Sequence, residues 1–377
     1  MVNKERLLSQ FLELVEIDSV SFSEGKIASR ITSILTNHGA QVVQDNAGEK
    51  IKGDCGNLIA KFQGTLSKYP FLLNAHLDTV QSTSGMKPSV VDDIIKSDGS
   101  TILGADDKSG VAVILEAINI LKEKNIPHPP LEVVFTVAEE QGLMGAANLN
   151  YSLLTAKEGI SVDSGNIEQF VISAPSKSKI KFIVHGLGAH AGAEPEKGIH
   201  AIRIAADAVS KMNLGIINEI TTANIGSFIS SFSTNIIPDK VEIEGEVRSS
   251  NDFALHAQLD HMIECFLNAT IGIYAIRDKK KIKPRIEYRI DHKYDAFTLA
   301  EDEEICLAAF DAARKMGLKP QLVSGMGGTD ANHFNNHGIK VLLMGTGIVD
   351  AHSKDESIAL SDMVKSAELL IQILSSL

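Results

Sequence analysis

Leu131-Glu-Val-Val-Phe-Thr-Val-Ala138, followed at once by Glu139 and Glu140, is the stretch on which the reading of this chain turns. A short apolar run rich in β-branched residues reads as a buried strand. Such a run usually ends in turn residues, because ionised carboxylates at the tip of a buried strand are costly to desolvate. Two side by side also repel, and Gln141-Gly-Leu-Met-Gly-Ala146 brings no Lys or Arg to hold them. A bound metal cation resolves the conflict, with one carboxylate as ligand and the other free to move protons. The plain alternative is an exposed pair at a strand end, facing water.

Other residues of metal-binding type stand in comparable places. The apolar run Phe71–Val80 is interrupted by His76 and Asp78, which share a face at i and i+2 of a strand. An aspartate there can orient a ligand histidine through its second ring nitrogen, a task a backbone carbonyl can also perform. Leu103-Gly-Ala-Asp-Asp-Lys-Ser-Gly110 is a polar, glycine-flanked turn leading into a helix from Gly110 to Lys122. Asp106 or Asp107 offers a further ligand, with Lys108 placed to neutralise the other. Asp163 follows the short apolar stretch Ile160-Ser-Val, and His352 lies in the loop Gly345–Ser353. Each has an ordinary reading: core histidine, helix cap, turn former or loop residue. Together they form a set of imidazoles and carboxylates at the ends of apolar elements.

Composition agrees with an enzyme of more than one core. A chain of 377 residues exceeds what a single core usually serves. The formal charge of −12 argues against nucleic acid, which requires a basic surface. Cys55, Cys265 and Cys306 are too widely spaced for a ligand pair or a disulfide framework, and read as reduced thiols of a cytoplasmic protein. The opening residues form a charged amphipathic helix start rather than a signal peptide. No apolar run approaches the ~20 residues that cross a bilayer, so no membrane partner is expected.

Along the chain, helices are expected over residues 4–17, 25–38 and 110–122, with strands over 57–63, 71–76 and 131–138. This alternation implies an α/β fold with a largely parallel sheet covered by helices on both faces. Functional residues in such sheets gather at the carboxyl ends of strands, where His76, Glu139, Glu140 and Asp163 fall. From about Lys179 the texture changes. Lys179–His185 and Lys240–Arg248 alternate like half-buried strands, separated by helical stretches at Ile199–Met212 and Asp252–Asn268. Helix–strand alternation resumes after Asp295, with a helix over Glu301–Met316 and a buried strand over Lys340–Met344. The expected division is residues 1–176 and 295–377 for a discontinuous catalytic domain, and 177–294 for a smaller inserted α+β domain.

The chemistry can be assembled from these residues. Two histidines and three carboxylates suit two divalent ions that share one bridging aspartate. Zinc fits this donor set best, with Co²⁺ or Mn²⁺ as substitutes, and leaves a position open for water. One glutamate then remains for acid–base work on water whose pKa the metal lowers to roughly 7. In the inserted segment, His190 lies in a glycine-rich turn from which an imidazole can reach a substrate. Arg248 ends an alternating strand and can hold a carboxylate in two parallel hydrogen bonds. His185 and His200 read as structural.

The chain resembles the M20 metallopeptidases, and within them the peptidase T-like branch. The resemblance rests on His76-Leu-Asp78, Gly104-Ala-Asp-Asp-Lys108, Glu139-Glu140, Val162-Asp163-Ser164 and Ala351-His352-Ser353, in that order. It extends through Gly186-Leu-Gly-Ala-His-Ala-Gly192, Asn235-Ile-Ile-Pro238 and Gly327-Gly-Thr-Asp330, and so covers nearly the whole chain. It implies a dizinc catalytic domain interrupted by a lid that often mediates dimerisation. Carried over, it puts His76, Asp106 and Asp163 on one zinc, and Asp106, Glu140 and His352 on the other. Glu139 becomes the general base, Asp78 orients His76, and Asp107 has no role beyond pairing with Lys108 or capping the helix. His190 is implied to stabilise the oxyanion, in some relatives from the neighbouring subunit. Asn235 and Arg248 are implied to line the substrate side.

One departure bears on specificity. Tripeptidases of this branch carry an arginine just before Gly-Gly-Thr-Asp, where this chain has Met326. A methionine cannot pair with a carboxylate. The expected activity is hydrolysis of short peptides from the N-terminal end by hydroxide attack on a metal-polarised carbonyl. The alternatives are an N-acyl-amino-acid deacylase or related amidohydrolase, and a non-catalytic binding protein that kept the fold.

Overall fold

In the computed structural model, which describes residues 2–377, Leu131–Thr136 is a strand with every residue buried. Its neighbour Phe71–His76 is equally buried, as a strand covered on both faces must be. The described residues divide into two compact units. One comprises the chain up to Ala174 together with Phe297–Leu377, and the other comprises Pro175–Ala296. The second unit is two residues wider at each end than the segment read from the sequence.

The first unit is built on a nine-stranded sheet among the described residues. Its path runs Gln41–Gln44, Leu58–Phe62, Leu131–Thr136, Phe71–His76, Glu158–Ser164, Lys340–Gly345, Gln169–Ala174 and Phe297–Thr298, with Gln321–Ser324 also paired to Gln169–Ala174. The consecutive strands from Leu131–Thr136 to Lys340–Gly345 are parallel. On one flank, Gln41–Gln44, Leu58–Phe62 and Leu131–Thr136 pair antiparallel, and Gln169–Ala174 pairs antiparallel with Lys340–Gly345. The outermost strand Gln41–Gln44 is largely exposed, a position antiparallel pairing tolerates because one face can meet water.

The helix Ala105–Glu123 packs on Phe71–His76 and Glu158–Ser164, and is covered in turn by Lys4–Glu16 and Leu360–Ser376. That explains why its middle, Val111-Ala-Val-Ile-Leu115, has no polar stripe. The exception is Glu116, fully buried, which Arg6 holds through Nε at 2.6 Å and Nη2 at 2.9 Å.

The second unit is a five-stranded antiparallel sheet in the order Gly215–Asn218, Thr221–Ile229, Lys240–Ser249, Ser176–His185 and Arg285–Tyr294. Ile180, Phe182 and Val184 alternate inward against the helices Ala201–Ser210 and Asp252–Asn268, where Phe182 stacks on Phe266. The opposite face carries charged pairs such as Lys181 with Glu242. All three cysteines are free and buried, and no helix among the described residues is long and apolar enough to cross a membrane.

Candidate metal centre

Parallel strands in register bring their carboxyl ends to one level. His76, the last residue of its strand, lies opposite Thr136, and Ser164 lies opposite Gly345. The chain beyond Thr136 is then gripped amide by amide. Asn57 Oδ1 accepts from Val137 N at 3.1 Å, and Glu24 Oε1 from Ala138 N at 2.9 Å. Asp78 Oδ1 accepts from Glu139 N at 2.9 Å, and Oδ2 from Glu140 N at 3.2 Å. Ala138 sits at φ +49°, a left-handed conformation that costs a non-glycine residue about 1 kcal/mol or more. Four side-chain acceptors on consecutive amides hold that turn in place.

Asp106 stands between the two imidazoles. Its Oδ1 is 3.0 Å from His76 Nε2, and its Oδ2 is 3.1 Å from His352 Nε2. Glu140 Oε1 approaches the same His352 nitrogen at 2.8 Å, and Asp163 Oδ1 lies 3.9 Å from His76 Nε2. Ligand-type atoms of His76, Asp106 and Glu140 fall within 4.8 Å of one another, as do those of His76, Asp107 and Asp163. The first unit thus gathers His76, Asp106, Glu140, Asp163 and His352, with Glu139 directly beside Glu140 and Asp78 against His76. The ring of His76 places Nδ1 at 3.0 Å from the Asp78 carbonyl and 3.4 Å from Asp78 Oδ1, so both main chain and side chain of Asp78 face it.

Electrostatics show what the cluster lacks. Burial, with Asp163, Asp330 and Glu140 adding to it and His76 opposing, pushes Glu139 well above the usual carboxylate range. Asp163 moves the same way, again chiefly through burial. Burial also works to raise Asp106, but contacts with His352 and His76 prevail and hold it low. His352 is pushed up to about 10 by Asp106 and Glu140. Among the described residues, the cations paired with Asp106, Glu140 and Asp163 are these two imidazoles. Each Nε2 can carry one proton, yet each faces two carboxylate oxygens. Divalent ions would fill that deficit, and imidazole with carboxylate is a donor set suited to zinc.

Three readings need correction or extension. Lys108 does not neutralise Asp107; it is buried and its Nζ donates to the Ile17 carbonyl at 2.7 Å. Asp107 does cap the helix, accepting from Gly110 N at 3.1 Å, but its other oxygen accepts from His76 N at 3.2 Å. The buried carboxylates of Glu24, Asp330 and Glu356 also surround the centre, unflagged by any motif except Gly-Gly-Thr-Asp. Their partners are mostly amides and hydroxyls distant in sequence, which no spacing rule reveals. Glu24, Asp54 and Cys55 form a third group with ligand-type atoms within 4.8 Å, but Asp54 is exposed and its Oδ1 already takes Gly25 N at 2.9 Å.

His190, Asn235 and Arg248 lie in the second unit. His190 is exposed, and its Nδ1 accepts from Gly192 N and Ala193 N at 3.1 Å each, which leaves Nε2 outward. It pairs with Ile236, and Asn235 O accepts from Ala191 N at 2.9 Å, so His190 and Asn235 are neighbours. Arg248 is elsewhere. Its strand pairs Lys240 with His185 at one end and Arg248 with Lys177 at the other. From Lys240 to Arg248 that ladder runs roughly 26 Å, at about 3.3 Å per residue, and His190 lies outside it, in a separate two-stranded pairing with Ile236.

Imidazoles and carboxylates converging at the carboxyl ends of a parallel sheet define a metal-binding hydrolase. The chain belongs to peptidase family M20/M25/M40, whose model matches residues 72–376. It is 39% identical over 375 residues to the uncharacterized protein YqjE of Bacillus subtilis, with 99% of each chain covered. Among solved structures it is similar to a tripeptidase from Staphylococcus aureus, with TM-score 0.94, 36% identity, and 100% and 99% of the two chains covered. It is also similar to aminopeptidase PepT from Bacillus cereus, with TM-score 0.90, 38% identity, and 99% and 98% covered. The protein is therefore a hydrolase of peptide-type bonds, in the peptidase T-like branch of the family.

Proposed function

We propose that this protein is a dizinc aminopeptidase of short peptides. The observation that carries the reading is Asp106, whose two oxygens face His76 Nε2 and His352 Nε2 at 3.0 and 3.1 Å, the disposition of a bridging ligand. His76, Asp106 and Asp163 would hold one ion, and Asp106, Glu140 and His352 the other. Such ions would supply polarisation of the scissile carbonyl and a water of lowered pKa, near roughly 7.

The remaining steps belong to the chain. Glu139, 9% exposed and pinned at its amide by Asp78, takes the proton of the attacking water and returns it to the leaving amine. Asp78 and Asp107 fix His76 from its ring and its amide. His190 donates to the developing oxyanion, and Arg248, whose Nε Glu246 holds at 2.9 Å, binds a substrate carboxylate. Asn235, beside His190, completes that side.

His190 and Arg248 stand in different strand pairings of the second unit, His190 beside Ile236 and Arg248 opposite Lys177. In this reading the second unit serves as a lid and dimerisation domain, with His190 acting in its own subunit or, as in some relatives of this family, in the partner's. The names of the Staphylococcus aureus and Bacillus cereus relatives support a peptide substrate. Met326, 79% exposed in the loop before Gly-Gly-Thr-Asp, is the observation that keeps N-acyl-amino-acid deacylation as a second reading.

The test is hydrolysis of di-, tri- and tetrapeptides and N-acetyl amino acids by zinc-loaded protein, with Glu139→Gln as control. Peptide cleavage that drops by roughly 10²–10⁴-fold in the control is the expected result. Cleavage of acyl amino acids alone moves the function to deacylase. Silence across the panel from metal-loaded protein overturns the catalytic reading.

A further inference from the structure

Two halves of the metal centre are supported very differently. His76 is 2% exposed at the end of a central strand, braced at its ring by Asp78 and at its amide by Asp107. Asp163 belongs to a strand as well. The side chain of His352 is 50% exposed, and the residue sits in a loop at φ +64°. Its position depends on whatever fixes the turn that carries it.

That turn ends at Glu356, four residues on and 1% exposed. Glu356 N donates to Ser353 O at 3.2 Å, which closes the turn on itself. The carboxylate then reaches across the molecule. Oε2 accepts from Gly104 N at 2.7 Å, and Oε1 from Asp106 N at 2.9 Å. Gly104 is at φ +75° and opens the turn that presents Asp106. One buried side chain therefore ties the His352 turn to the main chain of Asp106, the carboxylate His352 faces at 3.1 Å. Burying a carboxylate is costly without donors, and a neutral turn residue could close the Ser353–Glu356 turn equally well. The charge is explained by the two amides it joins.

We propose that Glu356 is a positioning residue for the His352 turn and for Asp106, setting metal affinity most strongly in the Asp106–Glu140–His352 half of the centre and less in the His76–Asp163 half, which shares Asp106 alone with it. The proposal rests on the two-ion reading above. A glutamine at this position keeps one acceptor but turns an NH₂ group toward the second amide. An alanine releases both. His76 and Asp163 keep their own supports in either case.

The experiment is calorimetric titration of Zn²⁺ into metal-stripped wild type, Glu356→Ala and Glu356→Gln, against a competing chelator. Wild type is expected to bind two ions. Glu356→Ala should weaken both steps, because Asp106 serves both ions, and should weaken the second, which also needs the His352 turn, by roughly 10–100-fold, clearly more than the first, the usual cost of removing a group that orients a ligand. Glu356→Gln should fall between, and it carries the same comparison if Glu356→Ala does not fold. Equal weakening of both steps, or no change in either, overturns the positioning role. Fewer than two ions on wild type overturns the two-ion reading itself, a distinct outcome.

Discussion

Both carboxylate oxygens of Asp78 are committed to the main chain of the glutamate pair: Oδ1 takes the amide of Glu139 at 2.9 Å and Oδ2 that of Glu140 at 3.2 Å. The same residue faces His76 Nδ1 with its carbonyl at 3.0 Å. Asp78 thus positions Glu139, Glu140 and His76 together, the proposed base and two of the proposed ligands. Asp78→Ala should lower kcat/KM by roughly 10–100-fold or more and weaken zinc binding. Asp78→Asn, which presents one acceptor and one donor to two donors, should recover only part of the loss. Steady-state kinetics alongside zinc titration checks this; an active Asp78→Ala with wild-type metal affinity would remove Asp78 from the site.

Glu24 predicts a pH dependence of stability. Burial first, and the charge of Asp78 next, push its carboxyl up to about 7, against the pull of the Ala138 and Phe22 amides. The folded state therefore binds more protons than the unfolded state between the ordinary 4.5 and about 7. Stability from this group is present below pH 4.5 and lost as pH rises through 7, by up to about 3 kcal/mol. Glu24→Gln keeps an acceptor for both amides and has no proton to lose. Its melting temperature relative to wild type, measured on metal-free protein, should rise steadily from pH 5 to pH 8. A flat difference would show that Glu24 is ionised in the fold throughout.

The sequence made part of this site legible and hid the rest for a physical reason. His76, Glu139, Glu140 and Asp163 were readable because each breaks an apolar run where a parallel sheet ends. The inserted unit was readable because Lys179–His185 and Lys240–Arg248 alternate. Asp78's main task, and the existence of Glu24 and Glu356 as braces, were not. Their partners are backbone amides, which every residue carries, so no letter marks them; Glu356 and Asp106 are 250 positions apart. The antiparallel flanks were missed likewise, since an apolar run such as Leu58–Phe62 carries no direction.

The pair Arg6–Glu116 should dominate the docking of the N-terminal helix. Glu116 is fully buried within Ala105–Glu123, and Arg6 meets both its oxygens. Removing the cation leaves a buried carboxylate with, among the described residues, only the Asn3 amide at 2.9 Å. Arg6→Ala should therefore destabilise by about 3–5 kcal/mol. The double variant Arg6→Met, Glu116→Gln should recover much of that, because no uncompensated charge remains. Denaturation midpoints of the three proteins test the claim, and an unaffected Arg6→Ala would place the helix's anchorage in its apolar face alone.

His190 and Arg248 give the sharpest test of how the proposed active site is completed. Arg248 pairs with Lys177 in the five-stranded sheet, whereas His190 pairs with Ile236 in a separate two-stranded one. If each site takes Arg248 from its own chain and His190 from its partner, His190→Ala and Arg248→Ala homodimers are both impaired. A heterodimer of the two has one site with both residues intact and one with neither. Co-expression with random pairing should then restore about a quarter of wild-type activity, as expected for a two-fold dimer. If both residues act within one chain, every site in the mixture lacks one of them, and no activity returns. Isolating the doubly tagged heterodimer should raise the recovery to about half, again from the two-fold symmetry. A recovery that fails to rise on isolation would rule out cross-subunit completion.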